Sequence, residues 1–196
     1  MKKKEKLSVD IPTIEEIENE QKRLRHRAVY QRTLRGTIAV LLVVAAISVL
    51  VATLWMPVLQ IYGSSMSPTL EAGQIVVSVK TNQLKTGEVV AFWQGNKLLV
   101  KRVIAGPGQW VDIDMDGNVT VDGKELTEVY LDVKALGNCD VELPHQVEES
   151  RWFLMGDNRD VSVDSRSAAI GDVSKDQIEG KIVFRIWPLK EFGSIQ

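Results

Sequence analysis

Apolar positions along this chain fall into two contrasting patterns. From Gly36 to Met56 the sequence GTIAVLLVVAAISVLVATLWM carries no charge, and the uncharged stretch continues to Leu70. Beyond it the apolar residues come in short bursts: Ile75–Val79, Val89–Trp93, Leu98–Ile104, Trp110–Ile113, Val119–Val121, Trp152–Met155 and Ile182–Trp187. Each burst is rich in β-branched or aromatic residues and is bounded by Gly, Asn, Asp or Pro, which predicts strands. The expected fold class is therefore mostly β, behind one N-terminal transmembrane helix.

About 20 uncharged residues at 1.5 Å each cross a hydrocarbon core of ~30 Å, whereas the apolar core of a cleavable leader is only about 7 to 15 residues long. Length thus favours a span over a leader, and so does the 35-residue arm before it. Trp55 suits the headgroup zone, and Pro57 disfavours helix at the residue before it. We expect a basic N-terminal arm over 1–35, a span over 36–58 and a β domain over 59–196. Within that domain, 124–150 is acidic, weakly patterned and readable only as an insertion. Residues 7–28 form a candidate amphipathic helix, since Ile11-Pro12-Thr13 followed by Glu15 and Glu16 has the character of a helix start.

Net charge is -2, but residues 1–35 carry +4 and the remainder -6. An acidic balance argues against a nucleic-acid partner, which needs a basic surface. Lys22, Arg23, Arg25, Arg27, Arg32 and Arg35 place the N-terminus in the cytoplasm by the positive-inside rule, so the β domain is expected on the far side. Cys139 is the only cysteine, which excludes an internal disulfide and a cysteine-based metal or redox centre. His26 lies in the basic arm and His145 in the acidic stretch, so a Ser-His-Asp triad would have to rest on His145.

Asp112-Ile113-Asp114-Met115-Asp116-Gly117 resembles the opening of a calcium loop. Its twelfth position should be Glu and is Gly123, and strands flank it rather than helices. A hairpin turn over Asp116-Gly117-Asn118 is the expected structure, and no metal site is assigned.

The remaining chemistry lies in Gly63-Ser64-Ser65-Met66-Ser67-Pro68-Thr69. With histidine scarce, a serine nucleophile needs a carboxylate or a lysine as base. Desolvation can bring a lysine from ~10.4 to roughly 7 to 8, where it accepts a proton. Lys101 interrupts the apolar strand Leu98–Ile104; alone, this segment reads more readily as carrying a lysine that faces solvent. Arg102 alternates to the other face. A third segment, Gly156 to Arg166 (GDNRDVSVDSR), offers Asp164 with Arg166, and Asp157 or Asp160 with Arg159, as bracing pairs. Ser162 and Ser165 add neutral donors.

Taken together, these segments resemble the bacterial type I signal peptidases, membrane-bound serine proteases with a Ser-Lys dyad. The nucleophile motif Ser-Met-x-Pro-Thr appears as Ser65-Met66-Ser67-Pro68-Thr69. The Lys-Arg strand and its Gly-Pro turn appear as Lys101-Arg102-Val103-Ile104-Ala105-Gly106-Pro107-Gly108-Gln109. The Gly-Asp-Asn-x-x-x-Ser-x-Asp-Ser-Arg box runs in full from Gly156 to Arg166, and the likeness covers roughly residues 30 to 190.

The resemblance implies a signal-peptidase-like β domain, with Ser65 as nucleophile, Lys101 as general base and no cofactor. It implies that Ser162 holds the lysine amine, that Asp164 and Arg166 form a supporting salt bridge, and that Asp157, Ser165 and Arg102 are structural. Ser64 and Ser67 are bystanders. Ala105 and Gln109 depart from the family's Gly and Asp, and Gly63 stands where some relatives carry a serine oxyanion donor. Implied partners are secretory preproteins cut after Ala-x-Ala and the lipid bilayer. Ile61, Met66, Leu70, Leu99 and Val100 are candidates for lining the substrate pockets. Trp93, Trp110, Trp187 and Phe192 are candidates for dipping an apolar edge into the membrane interface. Two other readings stay open on the residues: a membrane-anchored β module with a degenerate site, and a self-cleaving Ser-Lys repressor-type protease, against which the span speaks.

Overall fold

The computed structural model describes residues 13–81 and 83–195. The chain divides into two compact units, one ending at Val51 and one beginning at Ala52. A single helix, α1 (Ile14–Trp55), supplies the first. Thr13 caps it in reciprocal fashion: its hydroxyl accepts the Glu16 N–H at 3.4 Å, while the Glu16 carboxylate accepts the Thr13 N–H at 2.8 Å. Ile11 and Pro12 of the expected helix start lie outside the described residues. The arm and the span, expected as separate pieces, are one continuous helix of 42 residues, about 63 Å long. Its apolar half is exposed and is long and apolar enough to cross a membrane. Ser48 returns its hydroxyl to the Val44 carbonyl at 2.8 Å, so this polar group is satisfied within the helix.

Helical bonding ends at Met56, whose N–H donates to Ala52, and Pro57 cannot continue the ladder. Val58, the last residue of the expected span, instead opens strand β1 (Val58–Gln60). The other strands are β2 (Ile75–Val79), β3 (Val89–Gln94), β4 (Lys97–Ala105), β5 (Trp110–Ile113), β6 (Val119–Val121), β7 (Lys124–Glu125), β8 (His145–Gln146), β9 (Arg151–Met155), β10 (Val173–Ser174), β11 (Ile178–Trp187) and β12 (Gly193–Ser194). The larger sheet has the order β1-β2-β11-β3-β4-β9-β10, with β12 on β11, and the smaller is β7-β6-β5-β8. Every pairing is antiparallel.

Strand β3 alternates between two cores: Val89 and Ala91 join Ile61, Met66, Leu70, Val76 and Ile182, while Val90 and Phe92 join Val103, Trp152, Leu154 and Val173. A third core, built on Ile104, Val111, Ile113, Val119, Phe153 and Met155, is shared with the smaller sheet. The Asp-rich stretch closes the β5–β6 hairpin, as expected. The Asp114 carboxylate accepts the N–H groups of Asp116 and Asn118 at 2.9 and 2.8 Å, so its oxygens brace the turn.

Trp93, Trp110, Trp187 and Phe192, the candidates for an interfacial edge, do not share one edge of the β domain. Trp93 lies near the start of β11, where Phe92 pairs with Ile178 and the indole N–H donates to Glu179, whereas Trp187 is the last residue of that strand. Trp110 belongs to the smaller sheet, and Phe192 packs edge-on against Phe184.

Candidate active site

Ser65 lies in the turn that joins β1 to β2. Hydrogen bonds from Ser67 N–H to Ser64 and from Leu70 N–H to Met66 wind this turn tightly. Met66 and Leu70 then plug the core beneath it, so the turn is anchored by burial. Lys101 comes from the middle of β4. Its Nζ lies 2.7 Å from Ser65 Oγ, and only 3% of the residue is exposed. Among the described residues no carboxylate lies within ion-pair distance of that amine. Burial is the main cause of a lysine pKa lowered from 10.5 to about 8; Asp164 and Asp157 pull it up, and Arg166 pushes it down.

Arg102, next along the strand, is as deeply buried but fully engaged. Its Nε and Nη2 fork the Asp157 carboxylate at 2.9 and 2.7 Å, and Nη1 donates to the Gly87 carbonyl at 2.6 Å. Thr69 donates to the same carboxylate at 2.5 Å, and the Tyr130 ring lies 3.8 Å from the guanidinium carbon. Thr69 thereby ties the turn that carries Ser65 to the Gly156–Arg166 box.

Inside that box, Arg166 forks Asp164 at 2.9 and 2.8 Å, both side chains being buried. Burial pushes the Asp164 carboxyl up, but the hydrogen bonds and charge of Arg166 outweigh it and leave the pKa below the usual value. Asp164 also accepts the Gly156 N–H at 2.9 Å. No side chain fits at Gly156: a Cβ there would meet Ser162 Oγ at 2.2 Å and the Ser65 carbonyl at 2.5 Å. The Asn158 N–H donates to that Ser65 carbonyl at 3.1 Å, a second tie between box and turn.

Several expectations are corrected here. Arg159 pairs with neither Asp157 nor Asp160: Asp157 is taken by Arg102, and Arg159 binds the buried carboxylate of Glu128, 31 positions upstream. Ser162 makes no hydrogen bond to Lys101 among the described residues; its buried hydroxyl packs beside Gly156, and its side chain faces Asp164, whose carboxyl it helps to hold down. Leu70 lines no cleft, being 0% exposed in the core beneath the turn. Gln109 replaces an acid without leaving its turn unsupported, because its amide oxygen accepts the Gly106 N–H and its amide nitrogen donates to Asp122, both at 2.8 Å.

Glu128 and Tyr130 are the residues the sequence reading missed. A signal was present, since Arg102, Arg159 and Arg166 in apolar or motif positions need more acceptors than the local acids supply. The acidic segment provides them through Glu128, Tyr130 and the Leu136 carbonyl, which Arg166 reaches at 2.5 Å. Gly137 is held there with a positive φ of 62°, where a Cβ would strike the Arg159 carbonyl at 2.3 Å.

A cleft of about 530 Å³ runs up to the pair, lined by Val58 to Gly63 on one side and by Trp93, Asn96 and Leu98 to Lys101 on the other, with Ser65 and Met66 at its end. Ile61, Met66, Leu99 and Val100 lie on its walls, with Leu59 and Leu98 beside them. Both long walls present unpaired backbone edges. β1 is the last strand of its sheet, and β4 pairs with β9 only from Arg102 onward. Four antiparallel steps separate β1 from β4, so the two walls run in the same direction. The Ser65 N–H makes no hydrogen bond among the described residues and is free to bind an oxyanion. Gly63 offers no side-chain donor beside it.

The family model described as "Signal peptidase, peptidase S26" matches residues 34–187. The chain is 39% identical over 153 residues to signal peptidase IB of Staphylococcus aureus (strain COL), covering 67% of this chain and 78% of that protein. It is 32% identical over 169 residues to signal peptidase I of Bacillus licheniformis, covering 78% of this chain and 88% of that protein. A crystal structure of a signal peptidase I from Enterococcus faecalis V583 superimposes on 52% of this chain and 98% of its own, at 24% identity and a TM-score of 0.43. With a family model matching residues 34–187 and a relative 39% identical over 67% of its length, this chain belongs to the signal peptidase family, peptidase S26.

Proposed function

We propose that the chain is a membrane-bound serine endopeptidase that removes signal peptides from secretory preproteins, with Ser65 as nucleophile and Lys101 as general base. The observation that carries this reading is the 2.7 Å approach of Lys101 Nζ to Ser65 Oγ in a buried site where, among the described residues, no carboxylate lies within ion-pair distance of the amine. A lysine with a pKa of about 8 is neutral in roughly 10 to 20% of molecules near physiological pH, against roughly 0.1% for an ordinary lysine, and the lone pair of that fraction can take the hydroxyl proton.

In the mechanism, the precursor lies extended between the free edges of β1 and β4, where main-chain hydrogen bonds hold it. Shallow apolar walls from Ile61, Met66, Leu99 and Val100 accept small side chains, which fits cleavage after Ala-x-Ala. Ser65 Oγ attacks the scissile carbonyl as its proton passes to Lys101 Nζ. The Ser65 N–H stabilises the oxyanion, and the protonated amine then gives its proton to the departing amine of the mature protein. Water, deprotonated by the same lysine, attacks the acyl-serine and releases the signal peptide. Asp164 and Arg166, forked together and buried, support the lysine pocket.

α1 is the membrane anchor in this reading, with its basic end cytoplasmic and the β domain on the opposite side. Ser65 follows the end of α1 by ten positions, so at most about 35 Å of extended chain separates the anchor from the nucleophile. The catalytic group therefore stays near the emerging signal peptide, which raises its effective concentration.

The test uses the full chain in detergent, a precursor with an Ala-x-Ala site, and mass spectrometry of the fragments. Ser65→Ala and Lys101→Met are each expected to abolish cleavage at that site while circular dichroism of the β domain is unchanged. Full processing by either variant removes the dyad from the mechanism.

A further inference from the structure

The reaction as written leaves a group of buried charges unused. Glu128 and Arg159 form an ion pair whose side chains are 0% and 1% exposed. Replacing such a pair by apolar residues is often neutral or stabilising, so burial of this kind adds little stability by itself. What distinguishes this pair is where the arginine points. Besides holding Glu128 through Nη2 and, at 3.3 Å, through Nη1, Arg159 donates from Nε to the Gly156 carbonyl at 3.2 Å. Its own carbonyl accepts from Arg166 Nη2 at 2.9 Å.

Tyr130 completes the arrangement from the same acidic segment. Its hydroxyl donates to Glu128 Oε1 at 2.8 Å while its ring lies 3.8 Å from the guanidinium carbon of Arg102, which forks Asp157. Residues 156–159 are thus gripped at two points, through Arg102–Asp157 and through Arg159–Gly156, and two side chains of the acidic segment join the grips. Within that stretch, Asn158 holds the Ser65 carbonyl, and Gly156 leaves no slack against Ser65 and Ser162.

We propose that Glu128 and Tyr130 are positioning residues, which hold the Gly156–Arg159 stretch against the nucleophile turn and so set the distance from Ser65 Oγ to Lys101 Nζ. This rests on the reading of those two residues as the dyad. The acidic segment then acts in catalysis without touching substrate. Loosening it moves the serine relative to its base and lets water reach the amine.

The experiment compares Tyr130→Phe, Glu128→Gln and the double variant Glu128→Met with Arg159→Met, all as full chain in detergent, on a fluorogenic signal-peptide substrate. Tyr130→Phe keeps the ring over Arg102 and loses only the hydroxyl, and the double variant removes both buried charges at once. We expect kcat to fall about 10- to 100-fold in Glu128→Gln and in the double variant, and several-fold in Tyr130→Phe. KM is expected to stay within about twofold, because no cleft wall is altered. The ascending, acid-side limb of the kcat/KM profile, set by loss of the proton from Lys101, is expected to move to higher pH as the amine is rehydrated. A lowered folded fraction cannot move that limb. Wild-type kcat and an unmoved limb in Tyr130→Phe overturn the proposal whatever the other variants do, and the same result in a folded double variant does so independently. Ser65→Ala and Lys101→Met run alongside: if they retain activity, the dyad reading fails; if they are dead and Tyr130→Phe is normal, only the positioning role fails.

Discussion

Lys101 and Arg102 are adjacent on β4, equally hidden from water, and treated in opposite ways. On one face the guanidinium receives a forked carboxylate, a carbonyl, a threonine hydroxyl and an aromatic ring. On the other the ammonium group receives one serine hydroxyl and no carboxylate. Both charges bear a desolvation penalty, and only Arg102 has it offset locally. The difference separates a structural charge from a reactive one. A buried cation with a full set of acceptors stays charged and holds the fold, whereas a buried cation denied them gives up its proton and becomes a base. Sequence period supplies the arrangement, since alternation along a strand sends neighbours to opposite faces.

The largest expected effect comes from exchanging the two treatments. Lys101→Arg puts a group that cannot deprotonate beside Ser65, and Lys101→Met removes the proposed base altogether. Either should lower kcat/KM by about 10⁴-fold or more, measured on a signal-peptide substrate. The stability consequences should differ in sign across the strand. Arg102→Met leaves Asp157 buried without its guanidinium and should cost about 3–5 kcal/mol in chemical denaturation. Lys101→Met removes an uncompensated buried amine and should be neutral or stabilising at pH 7. If Lys101→Met destabilises as much as Arg102→Met, the contrast between the two faces is wrong.

Next in size is a pH effect peculiar to the unpaired face. The Lys101 pKa is near 8 folded and near 10.5 unfolded. Below pH 8 the lysine is charged in both states, and the folded protein bears the full penalty, on the order of 3 kcal/mol. Between pH 8 and 10.5 the unfolded chain holds the extra proton, so stability contributed by this group rises with pH across that window. Activity should rise with pH through about 8 as the base is freed, falling tenfold per unit below it. The check is the difference in unfolding free energy between wild type and Lys101→Met at pH 7 and pH 10. It should shrink by about 3 kcal/mol at the higher pH, and a pH-independent difference would contradict the burial argument.

The same contrast explains what was legible in the sequence. Ser65, Lys101 and the Gly156–Arg166 box sit in short local motifs, and β2 to β6 and β9 announce themselves by runs of β-branched or aromatic residues. β1 was hidden because Val58-Leu59-Gln60 continues an uncharged stretch. β7, β8, β10 and β12 are two-residue pairings too short for a period. The first half of β11, Ile178-Glu179-Gly180-Lys181, alternates too little to read as a strand. Arg159 was matched with acids in its own loop because local pairs are all that spacing can suggest. Its partner Glu128 reaches it only once the chain has folded. The acidic segment was unreadable for that reason: its function is to supply acceptors to arginines elsewhere, and that complementarity has no local pattern. Leu70 was misplaced in the cleft because motif proximity does not reveal which way a side chain turns.

The smallest effect tests whether burial, rather than pairing alone, sets these energies. At the exposed turn after β4, the Gln109 amide nitrogen donates to Asp122 Oδ2 at 2.8 Å. Hydrogen bonds from the Trp110 backbone and the Gln109 side chain hold the Asp122 carboxyl below its usual pKa. Gln109→Glu keeps an oxygen for the Gly106 N–H but sets a second carboxylate against Asp122, the surface counterpart of leaving Asp157 unpaired. Here water screens both charges, so the expected loss is roughly a degree or two in Tm, against a far larger one for Arg102→Met. It should fade in high salt, where the Debye length drops to about 3 Å, and also near pH 3, where the added carboxylate takes up a proton. A salt-insensitive loss as large as that of Arg102→Met would mean that pairing matters equally at the surface and in the core, which would remove the basis for distinguishing Lys101 from Arg102.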